Sequence, residues 1–166
     1  MSKRRVAKVR IEMIKEKSVY CKTQNLDTPE RAAEFARSLY YEFSGDEMRC
    51  MPRECMIVCC VDAKGKPLVI EHVSVGTSNA APVGMKELFM TAILSNADSI
   101  FCFHNHPSGN PTPSMADNLM TKKIREAGRI LDIPVRDHII VGDESYYSYE
   151  EKGVFPWKED MYETAC

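Results

Sequence analysis

Apolar residues recur along this chain with two periods, one typical of strands and one typical of helices. Strict alternation of apolar and polar residues from Ala7 to Met13 predicts a half-buried strand at a sheet edge. The run ECMIVCCV at 54–61 is continuously apolar after its first residue, which is typical of a strand buried inside a sheet. Beyond these two, the predicted strands are 68–75, 98–103, 135–141 and 146–149.

Three other segments place apolar residues at three- and four-residue spacings, the period of an amphipathic helix. The first opens with Asp27-Thr28-Pro29-Glu30, which combines a capping residue, an early proline and a first-turn glutamate. The predicted helices run from Asp27 to about Phe43, from Pro82 or Val83 to about Asn96, and from Ser114 to about Leu131. Strands joined by hairpins such as 62–66 and interrupted by single helices predict an α/β (α+β) protein with a mixed sheet flanked by helices.

The candidate chemistry lies in the segment from Phe101 to Asp117, FCFHNHPSGNPTPSMAD. His104 and His106 are two residues apart at the end of an apolar strand, so both imidazoles point to the same face. The loop after them is rich in proline and glycine, and Ser114 then opens a helix with Asp117 in its first turn. The sequence therefore predicts that two imidazoles and a carboxylate bind one divalent metal. Zinc is the default for these ligands, with a fourth position left for water.

A capping box is the alternative explanation of Ser114 and Asp117, since S-x-x-D places a side-chain acceptor at the third helical residue. A cap does not need two histidines at the end of a strand, and it would also hold Asp117 still for a metal. The two interpretations are compatible. His138 is predicted to be a packed, hydrogen-bonded histidine rather than a ligand, and Cys59-Cys60 to be core.

The segment HNHPSGNPTPSMAD from His104 to Asp117 resembles the H-x-H-x7-S-x-x-D signature of the JAB/MPN metal-dependent hydrolases, the JAMM motif. Its HNHPSGxPTPS form is similar to the RadC-like branch, which was formerly linked by name to DNA repair. The resemblance extends over 27–154 and includes the later DHII at 137–140 and YYS at 146–148.

This resemblance implies a three-layer α-β-α fold similar to that of cytidine deaminases. It also implies a domain at 27–154 between a basic arm at 1–26 and a tail at 155–166. A deaminase itself is disfavoured, because the chain has neither H-x-E nor P-C-x-x-C.

A hydrolase of this type needs a carboxylate that takes a proton from water and passes it to the leaving amine. Glu54 heads an apolar strand, where a charged side chain at the rim would face the cleft. The resemblance implies the same residue, because the family's base is a glutamate near the start of an early strand. Glu71 and Glu87 are the alternatives.

The resemblance further implies that Ser114 donates a hydrogen bond to the oxyanion of the tetrahedral intermediate, in addition to its role as a cap. Asn105, Ser108 and the backbone of the loop rich in proline and glycine could orient a substrate. The predicted function is a zinc-dependent hydrolase with one Zn²⁺ per chain, acting on a peptide or isopeptide amide bond of a peptide or protein. The residues after Glu54 are CMIV, not the glycine-rich stretch of deubiquitinating members, which disfavours ubiquitin-type specificity.

The composition indicates a cellular compartment and suggests one competing function. Seven cysteines without C-x-x-C spacing favour a reducing cytoplasm, and no apolar run is long enough to span a bilayer. Residues 1–26 hold eight lysines and arginines against two glutamates, a balance of +6 within a net charge of −2. This arm suggests a DNA-associated module that binds nucleic acid as the alternative. An inert scaffold is disfavoured by the intact ligand set, and no feature indicates an oligomeric state.

Overall fold

A five-stranded mixed sheet forms the centre of the computed structural model of this chain, with helices on both faces. The structure describes residues 12–16, 18–19, 25–44, 53–75 and 84–154. In chain order, the elements are α1 (Pro29–Ser44), β1 (Cys55–Val61), β2 (Pro67–Val75), α2 (Met85–Leu94), β3 (Ser99–Asn105), α3 (Met115–Ile130), β4 (Val135–Val141) and β5 (Tyr146–Ser148).

The strand order β2-β1-β3-β4-β5 puts β3 in the middle of the sheet. β1 is antiparallel to β2 and to β3, β3 is parallel to β4, and β4 is antiparallel to β5. The parallel pair needs a crossover, which α3 supplies. Because β1 and β3 are antiparallel and Met56 pairs with His104, the start of β1 lies beside the end of β3.

The two faces of the sheet form two separate cores, as strand alternation requires. α1 packs on one face, where Phe35 lies 6.1 Å from Phe103 between ring centroids. α2 and α3 pack on the other face, where Phe89 and Ile124 are buried. The predicted α-β-α layering and mixed sheet are therefore confirmed. Cys59 and Cys60 are fully buried core residues, also as predicted.

Two predicted element ends differ from the structure. The predicted starts of α2, Pro82 and Val83, lie outside the described residues, but Gly84 is extended, with φ −72° and ψ 134°, and is the N-cap, so α2 begins at Met85. β3 continues to Asn105, two residues beyond the predicted end, because parallel pairing with β4 extends to Asn105 and Val141.

Several predictions fall on segments that the structure does not describe. The predicted strand 7–13 lies outside the described residues except for its last two, Glu12 and Met13, which are not in a strand. Most of the basic arm and all of the tail after Val154 lie outside them as well. In the part of the chain that is described, no helix has the length and apolar character needed to cross a lipid bilayer.

Candidate metal centre

Four side chains converge at one point, where the start of β1 lies beside the end of β3. His104 lies near the end of β3, His106 directly follows that strand, Asp117 is in the first turn of α3, and Glu54 precedes β1. Each contributes one possible ligand atom, and these atoms lie within 4.8 Å of one another. Among the described residues, this group could hold a metal ion, and it contains neither Glu71 nor Glu87.

The distances among the three predicted ligands suit a tetrahedral ion. Nε2 of His104 lies 3.0 Å from Nε2 of His106 and 3.3 Å from Oδ1 of Asp117. The other carboxylate oxygen of Asp117, Oδ2, lies 3.4 Å from Nε2 of His106. Zinc–ligand bonds of about 2.0–2.1 Å in tetrahedral geometry place neighbouring ligand atoms about 3.3 Å apart. Two imidazole nitrogens and a carboxylate oxygen are also the donor types that zinc accepts. The residues present therefore fit a zinc ion.

The loop after β3 fixes the ring of His106. Its Nδ1 lies 2.7 Å from the carbonyl oxygen of Asn110, which can only accept, so Nδ1 carries a proton and Nε2 faces the centre. Gly109 makes this tight loop possible with φ +76°, and a Cβ there would meet the Asp143 carboxylate at 2.5 Å. Contact with the Asp117 carboxylate raises the pKa of His106.

His104 is held by a buried hydrogen-bonded chain on the face that carries α3. Its Nδ1 lies 2.8 Å from Nε2 of His138, whose Nδ1 lies 2.6 Å from Oγ1 of Thr121. The ring of His138 stacks on Tyr149 with centroids 5.4 Å apart. Burial, followed by the nearby His104, holds the pKa of His138 well below its usual range. The prediction that His138 is a packed, hydrogen-bonded histidine is confirmed. Thr121 was missed, and its only signal in the sequence is a hydroxyl one helical turn after Asp117.

Asp117 is both a cap and a convergent carboxylate. Its Oδ2 accepts hydrogen bonds from the backbone N–H and the hydroxyl of Ser114, both at 2.6 Å, while its own N–H donates to Ser114 Oγ at 3.1 Å. This capping box leaves Oδ1 directed at His104. Burial alone would raise the pKa of Asp117, but its contacts with the His104 and His106 rings and the hydrogen bond from Ser114 hold it far below its usual range. The carboxylate is therefore ionised.

The Ser114 hydroxyl has one hydrogen, and in this structure that hydrogen goes to Asp117. Its capping role is thus present. Donation to a substrate oxyanion would require the hydroxyl to rotate away from Asp117, and that role stays a prediction.

Glu54 stands at the open side of the centre. Its Oε1 lies 3.9 Å from Nε2 of His104, and its side chain is 53% exposed. Asn105 fixes the backbone on either side of it: Oδ1 accepts from Cys55 N–H at 2.8 Å, and Nδ2 donates to the Arg53 carbonyl at 3.2 Å. Asn105 is only 1% exposed, so the expectation that it orients substrate is wrong. As the residue between His104 and His106, it points to the opposite face of the strand.

Comparison with known proteins points to one family. A family model described as a RadC-like JAB domain matches residues 28–154. UPF0758 proteins from Alkaliphilus metalliredigens and Caldanaerobacter subterraneus are 42% and 43% identical over 66% and 68% of this chain, which is 47% and 48% of their own length. One from Thermotoga maritima is 40% identical over 64% of this chain and 48% of its own. The chain spans about half the length of the curated relatives it matches.

Proposed function

Because this chain belongs to the RadC-like JAB domain family, we propose that it is a zinc-dependent hydrolase of peptide or isopeptide amide bonds. In this proposal His104, His106 and Asp117 hold one zinc ion per chain, and Glu54 is the general base. The observation that carries the proposal is the convergence of three suitably spaced donor atoms beside an exposed carboxylate.

The protein groups around the centre leave the correct atoms available. Each histidine has its Nδ1 occupied, His104 by His138 and His106 by the Asn110 carbonyl, so each directs Nε2 inward. Asp117 similarly uses Oδ2 for the cap and keeps Oδ1 for the centre. When bound, zinc with three protein ligands supplies a water whose pKa is lowered to roughly 7.

Glu54 is suited to move protons because it is close to the centre and open to solvent. Its carboxylate takes the proton of the attacking water and delivers it to the nitrogen of the leaving amine. The Asn105 hydrogen bonds on both sides of Glu54 hold its backbone in place during both transfers. Ser114 is exposed at the start of α3, and in this proposal it turns its hydroxyl to the oxyanion after releasing Asp117.

The first test is metal content. Purified wild type is expected to contain close to one zinc per chain by elemental analysis after dialysis against metal-free buffer. His106→Ala should lose that metal, whereas His72→Ala, which removes a histidine outside the centre, should keep it. Wild type and His106→Ala with equally little divalent metal would refute the proposal.

The second test is turnover of a mixed peptide library, followed as new amino termini by mass spectrometry. Glu54→Gln is expected to keep its zinc and to lose activity by about 10²–10⁴-fold, the usual contribution of a general base. A zinc-loaded wild type without activity on peptides, branched or linear, would refute the amide-hydrolase assignment. Full activity in Glu54→Gln would refute only the role of Glu54.

A further inference from the structure

We infer that Thr121 and His138 are positioning residues that hold His104 in the tautomer whose Nε2 can bind a cation. The inference deepens the proposed function and rests on it, because it concerns the same metal centre. It is carried by one continuous chain of buried hydrogen bonds running from α3 through β4 to β3.

The single hydroxyl proton of Thr121 determines which group donates and which accepts in each hydrogen bond of this series. Oγ1 lies 2.6 Å from the backbone carbonyl oxygen of Asp117 and 2.6 Å from Nδ1 of His138. A carbonyl oxygen can only accept, so the hydroxyl donates to it. The same oxygen then accepts from His138, which must carry its proton on Nδ1.

His138 passes this constraint on to His104. It is 1% exposed and stacked on Tyr149, an environment that disfavours a charged imidazolium. With a proton on Nδ1, the neutral ring has a bare Nε2 that can only accept. That nitrogen lies 2.8 Å from Nδ1 of His104, so His104 carries its proton on Nδ1 and presents the lone pair of Nε2 to the centre.

If the donors and acceptors in this series of hydrogen bonds were reversed, His104 could not bind a cation through Nε2. If Thr121 donated to His138, both imidazoles would carry their protons on Nε2, and His104 would direct an N–H at the metal position. The Asp117 carbonyl prevents this by taking the hydroxyl proton. Asp117 therefore contributes twice, through its carboxylate at the centre and through its backbone oxygen at the start of the chain.

A matched pair of variants at Thr121 tests the inference. Thr121→Val removes the hydroxyl at nearly constant volume, whereas Thr121→Ser keeps it. Loss of a partner behind a metal-ligating histidine typically weakens metal binding about 10–100-fold, so Thr121→Val should bind zinc at least about tenfold more weakly than wild type. Thr121→Ser should bind close to wild type. Dissociation constants are measured by competition with a chelating dye, after circular dichroism has verified the fold of each variant.

The tautomers can also be read without any substitution at these positions. Long-range proton–nitrogen correlation spectra of zinc-loaded wild type with ¹⁵N-labelled histidine identify the protonated ring nitrogen of each residue. His104 and His138 are both expected to be protonated on Nδ1. The His138 signals are assigned from their disappearance in His138→Phe, which keeps an aromatic ring against Tyr149.

Three results would overturn the inference. Equal zinc affinity of Thr121→Val and Thr121→Ser, or a proton on Nε2 of His138 in the zinc-loaded protein, would overturn it while leaving the zinc hydrolase intact. Failure of wild type to bind zinc would overturn both together.

Discussion

Asp137 shows how the environment of a single buried residue can set its charge state. The side chain has no exposed surface and lies on the face of β4 opposite to that of His138. Ser148 donates a hydrogen bond to Oδ2 at 2.6 Å, and the Glu150 N–H donates to Oδ1 at 3.0 Å. These bonds hold the turn after β5 onto β4. Burial nevertheless dominates and raises the pKa of Asp137 from 3.8 to about 7.

This shift predicts a pH dependence of stability. Because the folded-state pKa lies above the unfolded one, the contribution of Asp137 is fully present below about pH 4 and is lost as pH rises through about 7. At 1.36 kcal/mol per pKa unit, the loss is on the order of 4 kcal/mol. Asp137→Asn does not titrate, and its amide can pair with both Ser148 and Glu150. Its free energy of unfolding should therefore fall less than that of wild type between pH 4 and pH 8.

Urea unfolding at several pH values measures this difference. All other groups titrate in both proteins, so the gap between the two curves isolates Asp137. Curves that stay parallel from pH 4 to pH 8 would contradict a neutral buried carboxyl.

At the scale of single elements, regular patterns predicted the helices and strands, but they did not predict where two of these elements begin or end. The continuous apolar run at 54–61 and the capping sequence from Ser114 gave β1 and α3 with their ends nearly correct. The start of α2 and the end of β3 were wrong because they depend on backbone conformation at Gly84 and on pairing with β4, neither of which is a local property.

The hydrogen bonds between Asn105, at the end of β3, and the start of β1 provide a test at this scale. Asn105→Ala leaves the buried Cys55 N–H and the Arg53 carbonyl without their side-chain partner. An unsatisfied buried group costs about 1–3 kcal/mol, so the free energy of unfolding should fall by at least that amount. Asn110→Ala is the matched control. This substitution likewise removes an asparagine side chain that makes two hydrogen bonds. Asn110 accepts both of them, from the N–H and the hydroxyl of Thr112, and it lies in an exposed loop.

Because water replaces the lost partner at an exposed site, Asn110→Ala should change the free energy of unfolding by no more than about 0.5 kcal/mol. Chemical denaturation of both variants and wild type gives the comparison. Equal destabilisation by the two substitutions would show that Asn105 does not hold the start of β1.

Across the whole molecule, the layered fold and the convergence of His104, His106 and Asp117 follow from local patterns and the spacing of one segment. The hydrogen bonds that hold His104 in place do not follow from local patterns. His138 lies 34 residues from His104 and 17 from Thr121 along the chain, so their contacts arise only when α3 crosses over to place β4 beside β3. Asn105 was misjudged for a similar reason, since its partners precede it by about fifty residues.

Zinc bound at the proposed centre would stabilise the folded molecule as a whole. An ion there would join β3, the loop after it and α3, whose ligand atoms are held together only in the folded state. A ligand that binds only the folded state stabilises it by RT ln(1 + [L]/Kd), about 2.7 kcal/mol at one hundred times Kd. For a domain of this size, each kcal/mol raises the unfolding midpoint by about 2–4 °C.

Removal of zinc by a chelator should therefore lower the midpoint of thermal unfolding by roughly 5–10 °C, and titrating zinc back should restore it in proportion to the logarithm of free zinc. His106→Ala should unfold at the same temperature with and without zinc, because a ligand is missing. Differential scanning calorimetry at fixed protein concentration makes the measurement. A zinc-dependent midpoint in His106→Ala as large as that of wild type would place the ion elsewhere, and no dependence in wild type would mean that the convergent side chains hold no zinc.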